Sequence, residues 1–274
     1  MALCGRVTGR VVLGGGVRCF SAHFDGRIEK QFGPVWEKFA GLSRRLCPTE
    51  DDGSWEPILD VASGPLSQPG LMIAKAMPHA RVVLADVDEG FVAATQKKVD
   101  AEHLPHTEVT WVNCDEGLPF EDHSFDMVTC CFGMNYYEHK EKAVSEFLRV
   151  LKPGCELILS HWKTFKPQDL FEKVAKKENL ETRALDALSC GHSGFLEKFL
   201  EPKFDIAESK AYALDLTFPN AKKAFDAIIG QENKTAMDAF LEISRGDSDV
   251  IIDESNFRLT NNTYVITVAI KPPE

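Results

Sequence analysis

The sequence predicts a doubly wound α/β domain whose sheet is parallel except at one edge. Three observations predict it. From Pro57 onward, short runs rich in Val, Ile and Leu alternate with amphipathic segments of helical length, the pattern of strands joined by crossover helices. Two late apolar runs, 205–217 and 262–271, are separated by helices that do not fit a simple crossover, which suggests an antiparallel edge. The chain has 274 residues, 44% of them hydrophobic, enough for one domain with a full core and a small cap.

Residues 24–47 read as a helix: Phe24, Ile28, Phe32, Val35, Trp36 and Phe39 recur at helical spacing, with Gly33-Pro34 expected to break or kink it. A polar connector follows at 48–53. Ile58 to Ala62 is the first strand, and Pro69 to Met77 a helix that stops before Pro78. Arg81 to Asp86 is the second strand, and Asp88 is placed to cap a helix over 89–103. Glu108 to Asn113 and Phe125 to Phe132 are the third and fourth strands. Lys140 to Leu151 is a helix that stops at Lys152-Pro153-Gly154, and Glu156 to Ser160 is the fifth strand. Asp169 to Asn179 is helical, as are segments near 221–229 and 235–243; Asp205 to Thr217 and Asn262 to Lys271 complete the sheet.

The formal net charge of −11 and the scattered, acid-flanked lysines argue against a nucleic-acid surface. No apolar run reaches the length of a membrane span. The eight cysteines include no CxxC pair and no zinc-ligand spacing, so reduced thiols and no metal site are expected. Residues 1–20 carry Arg6, Arg10 and Arg18 and no acid, and Arg18-Cys19-Phe20-Ser21 resembles a mitochondrial processing site. The glycines in that segment weaken an amphipathic helix, so a cytoplasmic protein with a plain tail is the alternative. The expected division is a transit peptide over 1–20, a helical lid over 21–56, and the main domain over 57–274, with substrate-cap elements in about 163–253.

Function enters through three loops. Asp60-Val61-Ala62-Ser63-Gly64 follows the first strand and precedes a helix, a place where small residues let a ligand approach the backbone. Asp86 ends the second strand, where a carboxylate accepts the two ribose hydroxyls of an adenosine. After the third strand comes Asn113-Cys114-Asp115-Glu116-Gly117-Leu118-Pro119-Phe120, then Ser124-Phe125-Asp126. This resembles the GDAExLPFxDxSFD signature of class I S-adenosylmethionine-dependent methyltransferases of the ubiquinone/menaquinone methyltransferase-like (type 11) group. Phe132-Gly133-Met134-Asn135 resembles that group's FGxxN, and Arg149-Val150-Leu151-Lys152-Pro153-Gly154 its RVLKPGG. The ordered match runs from about Ile58 to Ser160. Ala62, Leu66 and Cys155 depart from it: Ala62 and Leu66 replace the first and third glycines of D/E-x-G-x-G-x-G, so the loop is one residue longer or differently shaped. The N-terminal signature of the quinone C-methyltransferases is absent from residues 20–45.

The resemblance implies a seven-stranded Rossmann-like sheet with an antiparallel last strand and helical cap elements, and S-adenosyl-L-methionine as cofactor. It implies cofactor contacts from Asp60, Ala62, Ser63, Gly64, Asp86, Val87, Asp115, Glu116 and Phe132, with Asp115 on the adenine amino group. It implies methyl transfer to a small-molecule acceptor through O, N, S or C. Such a transfer needs alignment, exclusion of water and, for an oxygen or carbon nucleophile, a base. His161 is the candidate base and Tyr136 a candidate orienting residue, with Tyr137 beside it. Each also reads as a structural residue. Phe24, Phe32 and Trp36 read as lid or core, and Phe165, Phe171, Phe195, Phe199, Phe204 and Phe218 as material for an apolar pocket. The alternatives are a mitochondrial quinone-ring C-methyltransferase, a catalytically silent assembly protein for which Leu66 speaks, and a nicotinamide dehydrogenase, which residues 60–65 do not spell.

Overall fold

The structure is a computed structural model that describes residues 26–46, 57–180, 188, 190–191, 198–253 and 256–273. The segment 1–20, Phe24, Phe195, Cys4, Cys19 and Cys47 lie outside the described residues.

Among the described residues, ten strands form two sheets. The large one contains β1 (Pro57–Val61), β2 (Arg81–Asp86), β3 (Thr107–Trp111), β4 (Phe125–Cys131), β5 (Leu151–Thr164), β6 (Asp205–Ala213) and β10 (Thr263–Ile270). Its order is β3-β2-β1-β4-β5-β10-β6. β1 to β5 are parallel, and β10 runs antiparallel between β5 and β6. This is the seven-stranded doubly wound sheet with an antiparallel last strand. The order reverses between β1 and β4, so their carboxyl ends open a crevice where ligands bind in such sheets.

The helices are α1 (Gly26–Leu46), α2 (Gly70–Ala76), α3 (Glu89–Ala101), α4 (Lys140–Val150), α5 (Lys166–Glu178), α6 (Ala221–Ile228) and α7 (Met237–Arg245). Asp88 caps α3, its carboxylate accepting from the backbone N–H of Gly90 and Phe91. α1 runs unbroken through Gly33-Pro34, contrary to the expected break. Pro34 lies on the exposed side, while Phe32, Val35, Trp36, Phe39 and Ala40 bury a continuous stripe that holds the helix together.

Two further expectations are corrected. The Lys152-Pro153-Gly154 turn does not separate α4 from β5: the strand starts at Leu151 and absorbs the turn as a bulge, with Gly154 at φ 80° and its N–H donating to Lys271 O at 2.9 Å. The predicted strand over 205–217 divides at Leu214-Asp215. Its last part, β7 (Leu216–Phe218), joins β9 (Phe257–Leu259) and β8 (Val250–Ile252) in a small antiparallel sheet, order β7-β9-β8. Phe218, Phe225, Phe240 and Phe257 pack together between this sheet and the cap helices. The predicted cap phenylalanines therefore do not line one pocket. Phe165, Phe171 and Phe218 belong to the core on one face of the large sheet, and Phe199 and Phe204 to the core on the other.

Candidate active site

The turn after β1 is built around Asp60. Its side chain is fully buried and accepts from Thr129 Oγ1 at 2.5 Å. Burial pushes its carboxyl up to about 6, against the pull of its hydrogen bonds. The other side of the carboxylate abuts Gly70, the first residue of α2, where a Cβ would collide with Asp60 and Leu84. Glycine here lets the helix approach the strand closely. Thus Gly70 does the packing that the sequence pattern assigned to the position of Leu66. A turn over 64–69 precedes α2, and Leu66 packs against the core. Ala62 (φ 55°), Gly64 (φ 70°) and Ser67 (φ 60°) make the left-handed steps of this turn.

Asp86 closes the turn from β2. Its Oδ2 accepts from Gly64 N–H at 2.8 Å and its Oδ1 from Asp88 N–H at 3.0 Å. Burial raises its pKa, and those two backbone bonds oppose the shift. Each oxygen keeps acceptor capacity for a ribose hydroxyl. Ser63 is buried, its hydroxyl spent on the carbonyls of Asp60 (3.1 Å) and Ala85 (3.4 Å), so it ties β1 to β2. Val87 is exposed just beyond Asp86.

Asp115 follows β3. Its carboxylate accepts from the backbone N–H of His139 at 2.8 Å and Glu138 at 3.3 Å, and so pins the segment leading into α4. Only its remaining lone pairs are free for an adenine amino group. Glu116 is exposed and accepts from Asn113 Nδ2 at 2.9 Å. An open groove of about 860 Å³ lies beside Asp115, lined by Glu138, His139, Lys140, Lys142 and Phe199 among others.

At the end of β4 the chain turns through Phe132 (φ 61°), whose N–H donates to Ser160 Oγ at 3.1 Å. A Cβ on Gly133 would lie 2.6 Å from Ala62 Cβ and 2.8 Å from Cys130 Sγ, so this turn is pressed against the turn after β1. Phe132 stacks on Trp162 at 4.4 Å between ring centroids, Trp162 on Phe165 at 4.5 Å, and Phe32 of α1 meets both Phe132 and Trp162 edge-on. Phe32 and Trp36 thus form part of a packed aromatic wall. Asn135 stands three residues after Phe132, one position earlier than FGxxN requires, and Tyr136 occupies that position. The Asn135 side chain is 1% exposed, and neither its oxygen nor its nitrogen has a hydrogen-bond partner among the described residues.

His161 lies within β5 rather than at its end, because the strand continues to Thr164. It is 4% exposed, and strand alternation puts it on the face opposite Ser160 and Trp162, the residues that touch Phe132. Burial pushes Tyr136 up to about 12. Its hydroxyl therefore stays protonated and acts as a donor, not a base. Burial likewise raises the thiols of Cys114, to about 12, and of Cys130 and Cys131, leaving them packed and unreactive. Among the described residues, no three His, Cys, Asp or Glu side chains converge as metal ligands, and no helix is long and apolar enough to cross a membrane.

Sequence reasoning missed Thr129, Gly70 and Ser160. Ser160 was visible only as the end of a strand, and Gly70 only as a residue next to Pro69.

The comparisons with known proteins agree with this geometry. Residues 58–154 match the family model described as a methyltransferase domain. The demethylmenaquinone methyltransferase of Thermus thermophilus is 39% identical over 103 residues, 37% of this chain and 45% of that protein. The ubiquinone/menaquinone biosynthesis C-methyltransferase of Cupriavidus metallidurans is 34% identical over 143 residues, 51% and 55% of the two chains. The chain thus spans about half the length of the curated relatives it matches. BH2331 of Bacillus halodurans C-125 shares the fold, with a TM-score of 0.60 at 20% identity over 86% of this chain and 99% of that one. Residues 58–154 are thus similar in sequence to methyltransferase domains, and the chain shares the fold of BH2331. The matched segment is similar to a demethylmenaquinone methyltransferase and to a ubiquinone/menaquinone biosynthesis C-methyltransferase.

Proposed function

We propose that this chain transfers the methyl group of S-adenosyl-L-methionine to a small-molecule acceptor. One observation carries the reading: the Ala62–Gly64 turn, Asp86 and Asp115 stand at the carboxyl ends of β1, β2 and β3, beside the point where the strand order reverses. The residues fit the cofactor. Gly133 leaves no room for a side chain against Ala62, so the two turns close on a narrow crevice, and the two oxygens of Asp86 retain lone pairs for the ribose.

When bound, the cofactor supplies an activated methyl group on a sulfonium. Asp86 and the 62–64 turn hold its nucleoside end. The Phe132–Trp162 wall excludes water, and the protonated Tyr136 hydroxyl orients the acceptor as a donor. The buried carboxamide of Asn135 has its hydrogen-bonding capacity unspent and gives a polar acceptor a second anchor. His161, on the other face of β5, is a structural histidine in this reading.

A second reading, transfer to a quinone-ring carbon, is favoured by the identity to two quinone C-methyltransferases. Residues 1–20 are proposed as a mitochondrial address; fused to a fluorescent reporter they direct it to mitochondria, and diffuse cytoplasmic fluorescence refutes the address. The activity test is formation of S-adenosylhomocysteine from S-adenosylmethionine, with a demethylated quinol and with simple phenols, amines and thiols as acceptors. Turnover with any of them supports methyl transfer, and turnover with the quinol alone supports the second reading. Cofactor binding with no turnover across the panel favours a catalytically silent assembly protein.

A further inference from the structure

Trp111 and Val87 are large apolar side chains left 46% and 42% exposed, the first at the end of β3 and the second just beyond β2. Trp111 is the last residue of β3, the edge strand of the large sheet, and lies in register with Asp86 of β2. The two side chains therefore stand on the same face of the sheet. The ladder ends there with Val112 N–H donating to Asp86 O at 3.0 Å. The next carbonyl, that of Val87, is taken by the Trp111 side chain itself, whose indole Nε1–H donates to it at 2.7 Å. The indole thus latches the peptide immediately after the carboxylate whose oxygens already hold Gly64 and Asp88.

We infer that Trp111 is a positioning residue for the nucleoside end of the cofactor. It acts through Val87, fixing the 86–88 turn so that the Asp86 carboxylate is presented ready-made to the ribose, and its exposed ring extends the apolar rim toward Asp115. The cost of ordering this turn is met before the ligand arrives, so losing the latch weakens binding without weakening the fold. The inference rests on the adenosine-binding reading of Asp86.

The test is calorimetric titration of the full chain and Trp111→Phe with S-adenosylhomocysteine and, separately, with 5′-methylthioadenosine, which lacks the amino-acid end. Phenylalanine keeps an aromatic ring but loses the N–H together with the five-membered ring that carries it. Both affinities are expected to fall by the same factor, about five-fold, the worth of one hydrogen bond. The thermal midpoint stays in place. A wild type that binds both ligands and a variant that binds them equally tightly overturns the latch alone. A wild type that binds neither overturns the reading of Asp86 as well.

Discussion

Arg149 donates through Nη2 to the carbonyl of Leu118 at 2.9 Å, joining two segments 31 residues apart. The same guanidinium donates to Phe120 O at 2.8 Å and to Asp122 and Glu146, while Glu146 accepts from Leu118 N–H at 2.7 Å. Beside it, Lys152 grips both oxygens of Asp126 at 2.8 and 2.7 Å. The Leu-Pro-Phe…Ser-Phe-Asp and Arg-Val-Leu-Lys-Pro-Gly motifs are thus two halves of one clamp that replaces a helix between β3 and β4.

Arg149→Met breaks this clamp and is expected to lower the unfolding free energy by about 3 kcal/mol, since several charge-assisted bonds are lost at once. Denaturant unfolding measures it. Arg149→Lys recovers only part, because a point charge cannot reproduce the fork. A loss under about 0.5 kcal/mol in the methionine variant, the size of an ordinary surface effect, contradicts the clamp.

Gly70→Ala places a methyl group against Asp60 and Leu84. Overpacking of this kind costs about 1–3 kcal/mol, and the displaced turn weakens binding of S-adenosylhomocysteine. Thermal unfolding and calorimetry check the two effects. A variant with wild-type stability and affinity refutes the close approach.

Asp60 gives stability a specific dependence on pH. Its carboxyl lies at about 6 in the folded chain, above the ordinary value of 3.8. The folded state therefore holds the proton more tightly, and the group's contribution to stability falls as pH rises from about 4 to about 6. Relative to the wild type, Asp60→Asn is expected to gain about 2 kcal/mol between pH 4 and pH 7. Denaturant unfolding across that range reads the change. A difference independent of pH contradicts it.

Tyr136→Phe is expected to reduce turnover while leaving the shape of the pH–rate profile between about pH 7 and pH 10 unaltered, because burial holds the hydroxyl protonated to about 12. Disappearance of an alkaline limb in the variant identifies Tyr136 as the base after all.

Much of the scaffold was legible in the sequence because its signals are local. Short apolar runs, and clean alternation in the last of them, located the seven strands of the large sheet, and Asp88 announced the start of α3. The cap was not legible. Leu216 and Phe218 continue the alternation of β6, so nothing local separates them from it. Their partners, β8 and β9, are three residues each and acquire meaning only once paired. The order of Asp60, Asp86 and Asp115 was readable, but the use of their oxygens was not. Asp60 is spent on Thr129 and packing against Gly70, and Asp115 on the N–H groups of residues 138–139, both set by tertiary contacts. His161 looked accessible because the fifth strand was expected to end at Ser160. The strand runs on to Thr164 and so places His161 within it.

The central claim is an adenosine site closed by Asp86, and the most direct measurement is calorimetric titration of S-adenosylhomocysteine into the wild type and Asp86→Ala. Micromolar binding by the wild type that the variant loses, with its thermal midpoint retained, is the predicted result. Equal binding by both proteins, or none by the wild type, contradicts the account.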